Sequence, residues 1–324
     1  MREITFSEAT LEAMAEEMSR DERVFVMGED IARQGGIFGQ FKGLPQKFGL
    51  ERVIDTPISE TAIVGAGVGA ALAGMRPVVD MHFVDFIGVC MDEVFNQMAK
   101  IRYMFGGQCT IPLVLRAPDG IIRSAAAQHS QSLEAWFLHV PGLKVVIPSN
   151  PADAKGLLKA AIRDDNPVLY FEHKALFPMK GPVPDGEHLT PIGKANVSRP
   201  GRDVTIVSYS LMLHRALEAA EKLAADGIDA EVIDLRTISP LDKETIFNSV
   251  AKTKRLVIVH EAVKTGGVGA EVAALVAEEM IDYLDAPIRR LGAPFVPIPF
   301  SPALEKLVKI TAEDIARAVR DVCR

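Results

Sequence analysis

Short, continuous apolar runs alternate with helix-like segments through the first half of the chain. The runs are VFVMG at 24–28, PVVDMHFV from Pro77, IPLVLRA from Ile111, LKVVIP from Leu143 and PVLYFE from Pro167. Runs of this length suit strands buried on both faces. Between them lie an opening helix with Leu11, Met14 and Met18 at helical spacing, and a helix that Ser59 could cap and that Gly74 and Pro77 end. Further helices are expected around Cys90 to Met104, near Ser130 to His139 and from Asp153 to Arg163. Such alternation predicts an α/β fold with a parallel sheet covered by helices on both sides.

The same pattern resumes after FPMKGPVPDGEHLTPIG, the best linker in the chain, with DVTIVSYS, DAEVIDLRT and RLVIVHEA as strands. Helices are expected from Leu213 to Ala225, Lys243 to Ala251 and Gly269 to Met280. The expected organisation is a larger domain over 1–180, a linker over 181–192 and a smaller α/β domain over 193–324. RQGGIFGQFKG, just after the first strand, is expected to be a mobile loop.

Acidic residues exceed basic ones, 43 to 36, and the positive charges form no stripe, so nucleic acid is not an expected partner. Cys90, Cys109 and Cys323 form neither a CxxC pair nor a zinc-ligand set, which suits a reducing, cytoplasmic setting. The N-terminus suits neither a secretory signal nor a transit peptide. The longest uncharged run, Thr61 to Met75, falls short of the ~18 to 20 residues needed to cross a bilayer, so no membrane anchor is expected.

Two glycine clusters, Gly65-Ala-Gly67-Val-Gly69 and Gly266-Gly-Val-Gly269, invite a dinucleotide-binding reading. That fingerprint requires a strand running straight into the glycines. At the first cluster only Ala62, Ile63 and Val64 precede them, and these read as helix; close packing of backbones is the favoured explanation. No GxxxxGK[ST] or GxSxG occurs, which argues against a nucleotide triphosphatase and an α/β-hydrolase. His129, in AAAQHSQSLEAWF, falls between a strand and a helix, where a loop residue can project from the carboxyl edge of a sheet. A structural histidine is the competing reading. His82 is placed within a strand and His260 at a strand end. Glu60 precedes a helix of almost wholly apolar and small residues, and a carboxyl facing such a surface would be desolvated. An ordinary first-turn glutamate favoured by the helix dipole explains it equally well.

DTPISETAIVGAGVGAALAGMRPVVDMHFVDF, RYMFGGQ, AAAQHSQSLEAWF, PGLKVVIPSNPADAKGLLKAAIRDDNPV and AEVIDLRTISPLD occur in order along nearly the whole chain. Together they resemble the β subunits of thiamine diphosphate-dependent 2-oxo acid dehydrogenases, in the transketolase-like superfamily. The resemblance implies a pyrimidine-binding domain followed by a transketolase C-terminal-like domain. It implies that Glu60 hydrogen-bonds N1' of thiamine diphosphate, that Ile58 and Phe86 contact the aminopyrimidine ring, and that His129 assists acyl transfer to a lipoyl group. His82, just before Phe86, is inferred to face the same site. Leu113, Ala161, Ile162, Asp164 and Asn166 match positions that hold a structural potassium ion in the family.

The chain contains no GDG, the start of the family's diphosphate and magnesium motif. An α subunit is therefore implied to hold magnesium and to share the cofactor in an α2β2 heterotetramer, docked on a dihydrolipoyl acyltransferase core. VDFIGVCMDEV, IRYMFGGQ and VPIPFSPALE look closer to the acetoin enzymes than to the branched-chain ones. Acetoin is the expected small 2-oxo compound, with pyruvate second and a branched-chain 2-oxo acid as a further alternative. A noncatalytic thiamine-fold scaffold and a nicotinamide-dependent dehydrogenase are the rivals from other classes.

Overall fold

The computed structural model describes residues 1–324 as two compact units, 1–119 with 136–192, and 120–135 with 193–324. In the first unit six strands lie in the order Lys144–Val146, Val168–His173, Val114–Asp119, Arg76–Asp80, Val24–Gly28 and Val53–Asp55. Each neighbouring pair is parallel. The apolar runs are buried throughout, as strands covered on both faces must be.

Alternation along each strand divides the core between two faces. Val78 packs with Met14 and Met18 of the helix Phe6–Arg20 and with Leu157, Leu158 and Ile162 of the helix Pro151–Arg163. Its neighbour Val79 faces the helix Glu60–Leu72, where a methyl group on Gly67 would stand 2.6 Å from the Val79 side chain and 3.1 Å from Leu113. The glycine thus sits where helix and sheet meet with no space for a side chain. Burial of each large side chain in this core is worth about 1.5–3 kcal/mol. The first helix also has a reciprocal cap: Thr5 accepts the Glu8 N–H and Glu8 accepts the Thr5 N–H.

Several local expectations change. Ser59 occupies the N-cap of Glu60–Leu72, yet its side chain makes no capping hydrogen bond. The expected helix over Cys90 to Met104 is a broken path of 3-10 turn at Val84–Cys90, π turn at Glu93–Met98 and one α turn at Ile101–Met104. RQGGIFGQFKG is folded as consecutive hydrogen-bonded turns, with Gly35, Gly36, Gly39 and Gly43 at positive φ and Phe41 only 1% exposed in the core. His82 lies two residues beyond its strand, which ends at Asp80.

The second unit has a sheet in the order Arg289–Ala293, Leu256–Val263, Val204–Ser208, Ala230–Asp234 and Asn196–Arg199, parallel except for the last strand. The helices Ser210–Ala225 and Ala312–Cys323 pack on its core through Leu213, Ala216, Ile315 and Val319. No helix is long and apolar enough to cross a membrane.

Candidate functional site

Three adjacent strands of the first unit end side by side, because Gly28 is in register with Asp55 on one side and with Asp80 on the other. The segments leaving these ends carry Glu29, then Ile58 and Glu60, then His82, Phe83 and Phe86. Residues at the carboxyl edge of a parallel sheet are where α/β proteins place ligands.

Glu29 and His82 interlock. His82 Nε2 donates to the Glu29 carbonyl oxygen at 2.9 Å, since a carbonyl can only accept. Nδ1 then faces Glu29 Oε2 at 3.3 Å, a contact that needs one proton on either atom. Burial pushes the Glu29 carboxyl above the ordinary range; His82 opposes this and the Glu60 charge adds to it. The carboxyl of Glu60, half-buried at the start of its helix, therefore belongs to the same electrostatic unit.

The remaining surface is apolar. Phe86 meets Phe83 edge-on with centroids 5.6 Å apart, and Phe38 of the glycine-rich turns meets Phe83 at 6.0 Å. The Lys174 ammonium stands 5.0 Å over the Phe83 ring. Ile58 is 82% exposed although it is a large aliphatic side chain beside Glu60. The Thr56 hydroxyl just before it is buried with no hydrogen-bond partner. These strand ends thus carry an exposed aliphatic side chain, an aromatic pair and a half-buried carboxyl. No group of His, Cys, Asp or Glu side chains could hold a metal ion. The three cysteines are free and Cys90 is buried, its thiol pushed up to about 12 by burial.

Beneath this edge Arg116, 1% exposed, pairs with Asp80 at 2.6 Å and with Glu172, and lies 5.1 Å over the Phe41 ring. Burial first, and the Asp80 charge further, push Glu172 to about 7, while Arg116 pulls it down. Arg116 thus ties the strand before His82, the strand before Lys174 and the glycine-rich turns to one guanidinium.

His129 lies in the second unit, half-buried in the loop between Val114–Asp119 and Glu134–Leu138. The loop closes where the Gly120 N–H donates to the Gln131 carbonyl. The Ile121 N–H donates to Glu261 Oε2 and the Ser124 N–H to Glu305 Oε2, both at 2.8 Å. Tyr209 donates its hydroxyl to Glu134 at 2.6 Å.

His260 is inside the strand Leu256–Val263 and fully buried, held near 4 by burial, with Nδ1 against the Ala262 carbonyl. A methyl group on Gly267 or Gly269 would fall 2.5 or 3.0 Å from its ring. The second glycine cluster makes room for a histidine, as the first makes room for a sheet.

Of the positions matching a potassium site, Ala161, Ile162, Asp164 and Asn166 lie at the turn that ends the helix Pro151–Arg163, and Leu113 directly precedes the strand Val114–Asp119. Arg76 donates to the Ile162 and Asp164 carbonyls at 2.8 Å each, Lys144 pairs with the Asp164 carboxylate, and Arg102 donates to the Asn166 side chain. The Leu113 and Ala161 carbonyls accept the Val168 and Asp164 N–H groups. Of the backbone carbonyls, those of Ile162 and Asp164 already face the Arg76 guanidinium, while Lys144 and Arg102 take side-chain oxygens of Asp164 and Asn166, so a monovalent ion held by these carbonyls would stand against a resident cation and the residues fit it poorly.

Sequence reasoning missed Glu29, Lys174 and Arg116. The Glu-Asp pair directly after VFVMG was the available signal for Glu29, but only the strand order sets it beside His82.

Residues 2–180 match the family model of the transketolase pyrimidine-binding domain, and residues 193–315 match that of the transketolase C-terminal domain. The chain is 48% identical over 324 residues to the β subunit of 2-oxoisovalerate dehydrogenase of Bacillus subtilis, covering 99% of each. It is 50% identical to the β subunit of acetoin:2,6-dichlorophenolindophenol oxidoreductase of Cupriavidus necator, covering 98% of this chain and 97% of the other. With the β subunit of pyruvate dehydrogenase E1 of Dictyostelium discoideum it shares 47%, covering 99% and 91%. A solved structure described as a split-gene transketolase, inactive β4 tetramer, superposes with a TM-score of 0.82 at 24% identity, covering 99% of this chain and 98% of that one, a likeness of fold.

Proposed function

The chain belongs to the transketolase-like family of β subunits of thiamine diphosphate-dependent 2-oxo acid and acetoin dehydrogenases, and we propose that it activates the cofactor and passes the acyl group to lipoyl-lysine. One observation carries this: Ile58, Glu60, the Glu29–His82 pair and Phe86 leave the ends of three adjacent strands. Bound there, thiamine diphosphate supplies a nucleophilic C2 and an electron sink, chemistry that no side chain of this protein offers.

Glu60 hydrogen-bonds N1' of the aminopyrimidine ring and exchanges a proton there, while its charge adds to burial in raising the neighbouring Glu29 carboxyl. Ile58 and Phe86 give the ring its apolar contacts and keep water from it. His82, fixed through both nitrogens by Glu29, orients that carboxyl. His129 supplies a proton to the lipoyl sulfur released when the dithiolane S–S bond opens.

The chain lacks the GDG that begins the diphosphate and magnesium motif, so an α subunit supplies that half, in an α2β2 enzyme docked on a dihydrolipoyl acyltransferase. The favoured substrate is acetoin, on the segments VDFIGVCMDEV, IRYMFGGQ and VPIPFSPALE and the 50% identity to an acetoin enzyme. Pyruvate is the second reading, supported by the 47% identity to a pyruvate enzyme over nearly the whole chain.

The test is steady-state turnover of the enzyme reconstituted with its α subunit, on acetoin, pyruvate and a branched 2-oxo acid. Acetoin should give the highest kcat/KM. In the same enzyme Glu60→Gln should slow hydrogen exchange at cofactor C2 by ~10²-fold or more while assembly is retained. Wild-type exchange in that variant would remove Glu60 from catalysis.

A further inference from the structure

The loop that carries His129 is held from outside. Ser124 and Ala126 have φ of 58° and 61°, a backbone region that side chains other than glycine rarely adopt, and an unsupported loop would relax out of it. The supports come from far along the chain. Glu261 follows the middle of the strand Leu256–Val263, and Glu305 lies in the helix Pro302–Val308. Each carboxylate accepts one loop N–H, from Ile121 and from Ser124. Glu305 is 3% exposed, and Lys309 engages its other oxygen, which leaves Oε2 aimed at the loop. Hydrogen bonds from backbone N–H to a carboxylate are among the stronger ones a protein makes.

We propose that Glu305 and Glu261 are positioning residues for His129: by accepting the Ser124 and Ile121 N–H groups they hold the loop in one conformation and the imidazole where it meets the lipoyl group. Neither residue touches substrate or cofactor in this scheme. The inference rests on the reading of His129 as an acyl-transfer residue; the holding of the loop itself does not.

The experiment uses the assembled α and β enzyme carrying Glu305→Met, which removes the acceptor, or Glu305→Gln, which keeps one acceptor oxygen. Three quantities are read: trypsin cleavage after Arg123, which is exposed within the loop; acylation of an isolated lipoyl domain; and reduction of 2,6-dichlorophenolindophenol with the same substrate. Glu305→Met should speed cleavage and slow lipoyl acylation by about tenfold or more each, the scale of one lost charged hydrogen bond. Dye reduction should stay within about threefold, and Glu305→Gln should lie close to wild type in all three. If Glu305→Met does not assemble, Glu261→Ala applies the same test at the Ile121 N–H. Unchanged cleavage at Arg123, or equal losses with lipoyl domain and dye, overturns the proposal. A His129→Ala enzyme that keeps its lipoyl rate removes the reading of His129 instead, and the cleavage rates then judge the loop supports alone.

Discussion

Gly67 and Gly69 stand two residues apart on the helix that begins with Glu60, and replacing each by Ala should move stability in opposite directions. At Gly69 a methyl group meets nothing within 4 Å, so the change gains the helix propensity of Ala over Gly, about 0.8–1 kcal/mol. At Gly67 the same methyl lies 2.6 Å from Val79, and helix and sheet must part by roughly 0.8 Å to restore an ordinary carbon contact. Overpacking of this kind costs about 1–3 kcal/mol, so after the propensity gain the net change should run from near zero to a loss of about 2 kcal/mol. For a unit of this size the melting temperature should fall by up to about 8 °C in Gly67→Ala and rise by about 2–4 °C in Gly69→Ala. The displaced helix also carries Glu60, so turnover of the assembled enzyme should fall in Gly67→Ala, where a shift near 1 Å can cost up to about 10²-fold, and stay near wild type in Gly69→Ala. The assay is a paired melt of the purified chains, followed by turnover after assembly. Equal stabilisation by both changes would refute close packing as the reason for the glycines and reopen a ligand-binding reading of the cluster.

Glu29→Gln should leave the melting temperature little changed but remove from the pH profile of kcat/KM an ionisation above the ordinary carboxylate range; a profile identical to wild type would detach Glu29 from the site. Glu172, pushed from 4.5 to about 7, should make stability fall as pH rises through that interval, because the unfolded carboxyl releases its proton first and the folded one only near 7. The loss should approach about 3 kcal/mol above pH 7, and Glu172→Gln should abolish it; equal slopes of denaturation midpoint between pH 5 and 8 in the two proteins would count against this. Replacing potassium by sodium or choline should shift the melting temperature by less than ~1 °C, since Arg76, Arg102 and Lys144 already face the oxygens of the 161–166 turn; a clear rise with potassium alone would show that an ion is bound.

The central strands of both sheets were legible because a strand covered on both faces must be a continuous apolar run, as VFVMG and LVIVH are. The strands Arg2–Thr5, Lys180–Val183 and Arg289–Ala293 were not, since they are short and polar or contain Gly and Pro, and only their partners make them strands. The helix Ala312–Cys323 lies beyond the elements read from the sequence, although Ile315, Ala316, Val319 and Val322 carry helical spacing. Among the candidate residues, Glu60 and His129 could be singled out because they stand in long ordered motifs. Glu29 could not, because its importance depends on which strands are neighbours, and sequence order does not give sheet order. The supports of the His129 loop were hidden for the same reason: Glu261 and Glu305 lie 140 and 181 residues from the N–H groups they accept.

The strand Arg2–Thr5 pairs antiparallel with Lys180–Val183. During synthesis Arg2–Thr5 therefore leave the ribosome well before the strand they pair with, and meet it only after most of their own unit has been made. The helix behind them waits likewise, since Phe6–Arg20 packs on Pro151–Arg163. Nascent chains normally fold from their N-terminal end as they emerge. Here the opening segment is among the last to find its place, and a nascent chain stalled before residue 180 would display an uncovered strand edge, the kind of surface that chaperones hold and that pairs wrongly with other chains.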